Sequence, residues 1–184
     1  GDKHILFVGR IEPLKGIDKL MMAVAYLKNK QKFRLLVIGG GENSRPEMER
    51  LQRLSQELCI QDSVTFLGVI KQRELPRFYS AADVCVIPSY YESFGLVALE
   101  SLACGTPVVA ARVGGVTSII RHDEMGYVVE NNTPQRLAEK IALLLSRPNN
   151  GAESVDLIRA SVSGFSWSAV AEAVAKECRT LLAN

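Results

Sequence analysis

Two glutamates eight residues apart mark the segment of this sequence whose residue types could do chemistry. Glu92 and Glu100 enclose the run Glu-Ser-Phe-Gly-Leu-Val-Ala-Leu-Glu. An apolar strand, 83–87, precedes the run, and a helix is predicted to begin near Phe94 and Gly95 and to run to Ala103, before Gly105. Free N–H groups at a helix start attract anions, and carboxylates accept hydrogen bonds from hydroxyl groups. The segment therefore suits a ligand that carries several hydroxyls and a phosphate.

Two cations follow the first apolar run of the chain. Arg10 and Lys15 lie in Val-Gly-Arg-Ile-Glu-Pro-Leu-Lys-Gly. A guanidinium fork and an ammonium at one mouth would clamp a diphosphate without a metal. For an arbitrary pair of cations, two solvated loop residues would be the better interpretation. Here the position at a strand end, on the same predicted edge as Glu92, favours the diphosphate.

A glycine run between a strand and a helix raises the question of a dinucleotide site. Gly39, Gly40 and Gly41 follow an apolar run, but Ser44 stands where the third glycine of the dinucleotide fingerprint belongs. No acidic residue ends a following strand about 20 residues further on. A tight turn is favoured, with close approach of a ligand as the minor alternative. NAD binding is disfavoured.

Metal and histidine chemistry find little support in the sequence. His4 and His122 neighbour no candidate nucleophile, and structural roles are favoured for both. No cluster of histidines, cysteines and carboxylates has the spacing of a zinc site, and no Asp-x-Asp pair is present. The four cysteines form no Cys-x-x-Cys pair and are predicted to be reduced core thiols of a cytosolic protein. Neither a metal nor a cofactor is expected.

Composition limits the class of protein. The 184 residues are 47% apolar and 23% charged, which suits one globular α/β domain, 1–184. A net charge of +2 without basic runs argues against a nucleic-acid partner. No apolar stretch nears the roughly 20 residues of a membrane span, and no signal peptide is visible, so a cytoplasmic location is expected, with peripheral membrane contact open for the full-length protein. The chain opens at Gly1 without Met, and we expect it to be a piece of something longer.

Strand-like and helix-like segments alternate along the chain. Continuous apolar strands separated by amphipathic helices predict a doubly wound, Rossmann-like parallel sheet of about six strands with helices on both faces. Ser44 and Glu47 are predicted to form a capping box, and Trp167 to lie on the buried stripe of the last helix. The predicted strands are 4–9, 33–38, 64–67, 83–87, 106–110 and 127–129. In such sheets ligands bind beyond the carboxyl ends of the strands, where the distinctive residues gather.

With these residues considered, the chain resembles the C-terminal domain of the family-four retaining glycosyltransferases, which have the two-domain GT-B architecture. The resemblance covers essentially the whole chain. It is carried by the Glu-x7-Glu pair inside Pro-Ser-Tyr-Tyr-Glu-Ser-Phe-Gly-Leu-Val-Ala-Leu-Glu-Ser-Leu-Ala-Cys-Gly-Thr-Pro-Val-Val, and by Val-Gly-Arg-Ile-Glu-Pro-Leu-Lys-Gly-Ile. The chain departs from the family pattern after Gly115, where Thr117 and Ser118 replace the usual Pro-Glu.

The resemblance implies a role for each matching residue. Arg10 and Lys15 would hold the donor diphosphate and act in catalysis with Glu92, which would accept from hydroxyls of the transferred sugar. Glu100 would accept from the ribose hydroxyls. The remaining donor-binding residues implied are Gly9, Gly68, Val69, Ile70, Ser93, Phe94, Gly95 and Leu96, with those at 68–70 bordering the base.

The resemblance also implies an activity, which is retaining transfer of a hexose from a nucleoside-diphosphate sugar. UDP is the expected nucleotide, followed by GDP and ADP. The acceptor, a sugar, a lipid or a small molecule, would be held mainly by an N-terminal domain absent from this chain. The isolated chain is therefore expected to fold and to bind nucleotide weakly but to transfer nothing. Two alternatives stay open: a non-catalytic nucleotide-sugar binding module, and a nucleotide-sugar 2-epimerase of the same architecture.

Overall fold

One parallel sheet forms the centre of the molecule. The computed structural model describes residues 2–30, 32–147 and 151–182. Within these ranges six strands pair in parallel in the order β3-β2-β1-β4-β5-β6. The strands are β1 (Lys3–Val8), β2 (Phe33–Ile38), β3 (Val64–Gly68), β4 (Val84–Ile87), β5 (Val108–Ala111) and β6 (Gly126–Val129). The predicted doubly wound, Rossmann-like fold is confirmed.

Helices connect the strands and cover both faces of the sheet. In chain order they are α1 (Ile17–Ala25), α2 (Arg45–Glu57), α3 (Leu75–Ala81), α4 (Leu96–Ala103), α5 (Val116–Ile119), α6 (Pro134–Leu145), α7 (Gly151–Ala160) and α8 (Trp167–Leu182). Helices α1, α2 and α6 contribute to the core on one face, and α3, α4, α5 and α7 to the core on the other. Both cores consist mainly of aliphatic side chains.

The alternation of side chains along β1 shows why two cores form. Ile5 and Phe7 are buried in one core, and Leu6 is buried in the other. Successive strand residues point to opposite faces, so an uninterrupted apolar run requires helices on both sides. Burying side chains of this size stabilises the fold by about 1.5–3 kcal/mol each. The apolar strands thus account for the layered architecture.

The order of the strands creates the crevice in which a site can form. Strand β1 leads into α1 on one face, while its neighbour β4 leads into α4 on the other. The two connecting loops therefore leave the sheet in opposite directions and open a gap at its carboxyl edge. The β1–α1 loop carries Arg10 and Lys15, and the β4–α4 loop carries Glu92. The strand order alone brings these two loops together.

The predicted burial of the last helix is wrong. Helix α8 forms, but it has no buried residue, and 87% of Trp167 is exposed. Val170 and Val174, on the same stripe, are exposed as well. An apolar stripe shows that a helix face is able to pack against another surface. Among the described residues no other element buries the apolar stripe of α8.

Two smaller predictions are also corrected. Ser44 makes no capping hydrogen bond with its side chain, because its backbone is already helical, and Glu47 instead binds Arg50 with both carboxylate oxygens. Among the cysteines, Cys85 is buried as predicted, but Cys59 and Cys178 are exposed. These two follow or lie in helices that present them to solvent, so they are not core thiols.

Candidate functional site

Direct backbone contacts fasten the loop after β1 to the loop after β4. The Tyr90 N–H donates to the carbonyl of Leu14 at 2.9 Å. Gly16 adopts φ of +66°, and a Cβ atom at this position would lie 2.1 Å from the carbonyl oxygen of Pro88. The Asn132 side-chain amide donates to the same Pro88 oxygen at 2.6 Å. Only glycine allows the two loops to approach this closely.

An ion pair spans the junction between these loops. Lys15 Nζ lies 2.5 Å from Glu92 Oε1, and each side chain is only 16% exposed. The Ser89 hydroxyl donates to the same carboxylate oxygen at 3.0 Å. Among the described residues no group donates to Glu92 Oε2, and this oxygen is not sealed from solvent. The pair therefore presents ammonium N–H groups and a carboxylate oxygen to whatever enters the crevice.

Gly114 and Gly115 pack directly against the backbone of the loop that carries Glu92. The Gly115 N–H donates to the Ser93 carbonyl at 3.2 Å. A Cβ at Gly114 would lie 1.7 Å from the Glu92 carbonyl oxygen, and one at Gly115 would lie 2.7 Å from that of Phe94. The departure from the family pattern begins directly after these glycines, where the Ser118 hydroxyl donates to the Gly115 carbonyl at 2.7 Å. The loop around Glu92 is thus held by backbone contacts on two sides.

The start of α4 lies immediately after this loop. Gly95 precedes the helix with φ of +95°, a conformation that favours glycine, and no side chain caps the first turn. The N–H groups of such a turn remain available to an anion. Phe94 and Leu96 are exposed on either side of Gly95, and the Phe94 ring packs edge-to-face against Phe165. The predicted helix start is one or two residues early, since the helix begins at Leu96.

Glu100 lies on α4 and is held by two donors. The Tyr79 hydroxyl donates to Oε2 at 2.8 Å, and the Gln72 side-chain amide donates to Oε1 at 2.8 Å. Tyr79 is 1% exposed. Burial is the main cause that raises the pKa of the Tyr79 phenol, and the nearby Cys85 and Glu100 raise it further. The phenol therefore stays protonated and can only donate to the carboxylate.

A hollow lies at the carboxyl ends of β1, β2 and β3. The Gly39 N–H donates to the Gly68 carbonyl at 2.8 Å, and a Cβ at Gly39 would lie 1.7 Å from the Gly9 carbonyl oxygen. The hollow has a volume of about 570 Å³. Residues of three loops line it: Gly9, Arg10, Glu12, Gly39, Gly40, Gly41, Asn43, Ser44 and Val69. Gly39 and Gly40, both at positive φ, thus carry the chain past Gly9 beside an open space.

The predicted site residues lie in several separate places rather than in one cluster of contacts. Lys15 and Glu92 are in direct contact. Arg10 lies instead in the hollow with Gly9 and Val69, where it pairs with Glu12 at 2.9 Å and remains 75% exposed. Ile70, which is predicted to border the base with Val69, is half-buried against the core that contains α3. Gly68 ends β3 beside the hollow, and residues 93–96 form the loop and helix start described above.

Sequence reasoning missed three residues that contact the two glutamates. Ser89 stands three positions before Glu92 in the quoted motif, so its proximity had a local signal. Gln72 and Tyr79 are 28 and 21 positions from Glu100, and no pattern in the sequence links them. Their contacts depend on how α3 packs beside α4.

The part of the chain that the structure describes contains neither a metal-binding cluster nor a membrane-spanning helix. Residues 2–30, 32–147 and 151–182 contain no group of three or more His, Cys, Asp or Glu side chains that could hold a metal ion. Across the same ranges, no helix combines the length and apolar character required to cross a membrane.

Comparison with known proteins identifies the family. Residues 1–160 match the sequence model of the family described as "Glycosyl transferases group 1". The D-inositol 3-phosphate glycosyltransferase of Acidothermus cellulolyticus is 44% identical over 186 residues, which cover 98% of this chain and 41% of that protein. The chain thus spans less than half of the curated relative's length.

Solved structures agree with this assignment. Sucrose-phosphate synthase from Thermosynechococcus elongatus superposes with a TM-score of 0.87 at 39% identity, covering 99% of this chain and 46% of that chain. HepE from Anabaena, crystallised with UDP, superposes with a TM-score of 0.86 at 24% identity, covering 97% of this chain and 49% of that chain, and supports the fold alone. The predicted resemblance to GT-B glycosyltransferases is confirmed. The chain belongs to the group 1 glycosyltransferase family.

Proposed function

We propose that this chain binds the nucleoside-diphosphate sugar donor of a retaining hexosyltransferase. The ion pair between Lys15 and Glu92 carries the proposal, because it places a cation and a carboxylate together at the crevice between β1 and β4. In open parallel sheets this crevice is where ligands bind. Membership of the glycosyltransferase family supplies the reaction class.

The diphosphate would bind between the cation loop and the start of α4. Lys15 uses one of its three N–H donors on Glu92, which leaves two for phosphate oxygens. Arg10 is exposed in the neighbouring hollow and would supply a guanidinium fork, with the backbone at Gly9 beside it. The uncapped N–H groups that follow Gly95 would face the same oxygens. Ser93, Phe94 and Leu96 would border them.

Charge that grows on the leaving diphosphate would be the main target of catalysis. As the bond from the anomeric carbon to the phosphate oxygen breaks, its electron pair stays on the diphosphate. Donors that bind this charge more strongly in the transition state than in the substrate lower the barrier. Donors that bind the substrate and the transition state equally do not. Lys15 and Arg10 are therefore assigned a catalytic as well as a binding role.

Glu92 would accept a hydrogen bond from the transferred sugar. Its Oε1 is already engaged by Lys15 and Ser89, so Oε2 is the atom left for a sugar hydroxyl. Retention of configuration is implied by the family resemblance and is compatible with two routes. Glu92 could attack the anomeric carbon, or the acceptor hydroxyl could attack from the front face and give its proton to the leaving phosphate.

The nucleoside would extend from the diphosphate toward α3 and β3. Glu100 would accept from the ribose hydroxyls, and Gly68, Val69 and Ile70 would border the base. We propose UDP as the nucleotide, followed by GDP and ADP; HepE, which shares the fold, was crystallised with UDP. The acceptor would bind mainly to an N-terminal domain outside this chain, so the isolated chain should not transfer sugar. A cytoplasmic location also stays a prediction.

Calorimetry of the chain with UDP, GDP and ADP tests donor binding. We expect saturable binding of UDP and at least roughly tenfold weaker binding to Lys15→Met, since a charge-assisted contact to phosphate is lost. Lys30→Met is the matched control, because Lys30 is an exposed lysine after α1, at the opposite edge of the sheet. No saturable binding of any of the three nucleotides, or unchanged affinity of Lys15→Met, would overturn the proposal.

A product assay on the complete protein separates catalysis from the two alternatives. Arg10→Ala should lower the rate of sugar transfer by a factor of about 10²–10³, because a donor to the developing charge is lost. Glu92→Ala should also lower the rate, because the acceptor for the sugar hydroxyl is lost. A binding module would show no transfer in the unmodified protein, and an epimerase would return a nucleotide sugar of altered configuration. Either result would remove the proposed reaction but leave donor binding standing.

A further inference from the structure

The two oxygens of Glu100 are each held by a donor from a different place in the fold. The Tyr79 hydroxyl lies 2.8 Å from Oε2 and comes from α3. The Gln72 amide lies 2.8 Å from Oε1 and comes from the single turn that precedes α3. A carboxylate on a helix surface would otherwise rotate among several side-chain conformations. Donors on both oxygens restrict that rotation and so define the plane of the carboxylate.

Tyr79 is anchored on its own account. It is 1% exposed and packs in the core shared by α3 and α4. Its carbonyl oxygen accepts from the Thr106 hydroxyl at 2.5 Å and from the Ala82 N–H at 3.0 Å. The phenol therefore cannot follow Glu100 if the carboxylate moves. It acts as a fixed support that extends from the core to the edge of the site.

The hydrogen bonds from Tyr79 and Gln72 leave part of the Glu100 carboxylate able to accept from a ligand. An ionised carboxylate offers about four lone-pair positions, of which Tyr79 and Gln72 occupy one on each oxygen. One position on each oxygen remains, which matches two adjacent hydroxyls that donate side by side. The 2′- and 3′-hydroxyls of a ribose have this arrangement. A deoxyribose would leave one position without a partner.

We propose that Tyr79 and Gln72 are positioning residues that orient Glu100 to recognise the ribose diol, and so make the site selective for ribonucleotides. This inference rests on the proposed binding of a nucleotide donor, and it adds the two residues that determine which sugar of the nucleotide is accepted. Both residues donate to Glu100, and both would therefore act through it.

Titration with UDP and with 2′,3′-dideoxy-UDP tests the inference. The unmodified chain should bind UDP about tenfold more tightly, as expected when a charged acceptor loses its partner hydroxyls. In Tyr79→Phe and Gln72→Leu this ratio should fall toward one, mainly through weaker binding of UDP, while the affinity for dideoxy-UDP stays the same. A merely structural defect would weaken both ligands equally. Tyr127→Phe removes from β6 a hydroxyl that accepts a hydrogen bond from Arg147, and it should leave the ratio intact.

A second comparison shows whether the two residues act through Glu100. In a Glu100→Gln background, adding Tyr79→Phe should change the ratio no further, because interacting residues are not additive. If Tyr79→Phe is too unstable to study, Gln72→Leu still decides the question, since Gln72 is exposed and outside the core.

The possible failures are distinguishable. A ratio of one in the unmodified chain overturns the inference together with the assigned role of Glu100. Absence of UDP binding overturns donor binding as well. If the unmodified chain discriminates and Glu100→Gln does not, but both positioning variants keep the full ratio, the inference alone is wrong.

Discussion

Lys15 and Glu92 are 77 positions apart in the sequence, yet their charged atoms lie 2.5 Å apart across the junction of two loops. Each side chain is largely removed from solvent, and Ser89 adds a third polar group. For an ion pair so far removed from solvent, the cost of desolvating the two charges offsets much of their attraction. Removing one partner is nevertheless destabilising, because the other charge is then left buried and unpaired. This relationship connects the stability of the crevice to its chemistry.

Glu92→Gln should lower the stability of the chain. The substitution leaves the Lys15 ammonium without its ionised partner, and we expect a loss of about 1–3 kcal/mol in the free energy of unfolding. Urea denaturation measures the change. Glu139→Gln is the control, because Glu139 pairs with Arg136 on the surface, and it should cost less than about 1 kcal/mol. Equal effects of the two substitutions would show that the Lys15–Glu92 pair is no stronger than a surface pair.

Gly16→Ala should separate the two loops. The new methyl group would lie 2.1 Å from the Pro88 carbonyl oxygen, and the backbone at φ +66° disfavours any residue other than glycine. A loss of about 2 kcal/mol or more is expected, measured by the same denaturation experiment. Gly164→Ala, at a glycine where the new methyl group would meet no neighbouring atom within 4 Å, should change stability by less than about 0.5 kcal/mol. A Gly16→Ala chain as stable as the control would contradict the described loop contact.

Stability should fall at alkaline pH because of a buried thiol. Burial raises the pKa of Cys85 from 9.0 to about 12. The unfolded chain therefore loses its thiol proton first, so the stability present below pH 9 is lost progressively as the pH rises toward 12. Cys85→Ala should flatten this part of the curve of unfolding free energy against pH. An identical slope in both chains would show that Cys85 does not contribute.

Trp167→Ala should have little effect on this chain. Because Trp167 is 87% exposed, removal of its side chain should change the free energy of unfolding by less than about 0.5 kcal/mol. Leu102→Ala, within the core beside α4, should cost about 2–5 kcal/mol. Thermal unfolding of the two variants compares them directly. A large loss of stability in Trp167→Ala would contradict the exposed position of Trp167 and agree with the burial predicted from the sequence.

The sheet was predictable because its signal is local. The strands are mostly apolar, and a core helix such as α1 repeats apolar residues, here Ile17, Leu20 and Val24, along one face. These patterns arise within one element and need no knowledge of its neighbours. The edge on which Arg10, Lys15 and Glu92 gather follows from the same reasoning, since parallel strands share their carboxyl ends.

The contacts within the site were not predictable in the same way. The support of Glu100 by Tyr79 depends on the packing of α3 beside α4, and no spacing in the sequence encodes it. The predicted capping box did not form because the backbone of Ser44 is already helical, and Glu47 accepts from Arg50 instead. The stripe of Trp167 showed only that a helix face is apolar, and the partner of such a face cannot be read from its own residues.

A crystal structure of the chain with a UDP-sugar tests the central claim most directly. We expect the diphosphate to lie within hydrogen-bond distance of Lys15 Nζ, a sugar hydroxyl to donate to Glu92 Oε2, and the ribose hydroxyls to donate to Glu100. A nucleotide bound elsewhere, or bound at the carboxyl edge of the sheet without contact to Lys15 and Glu92, would contradict it.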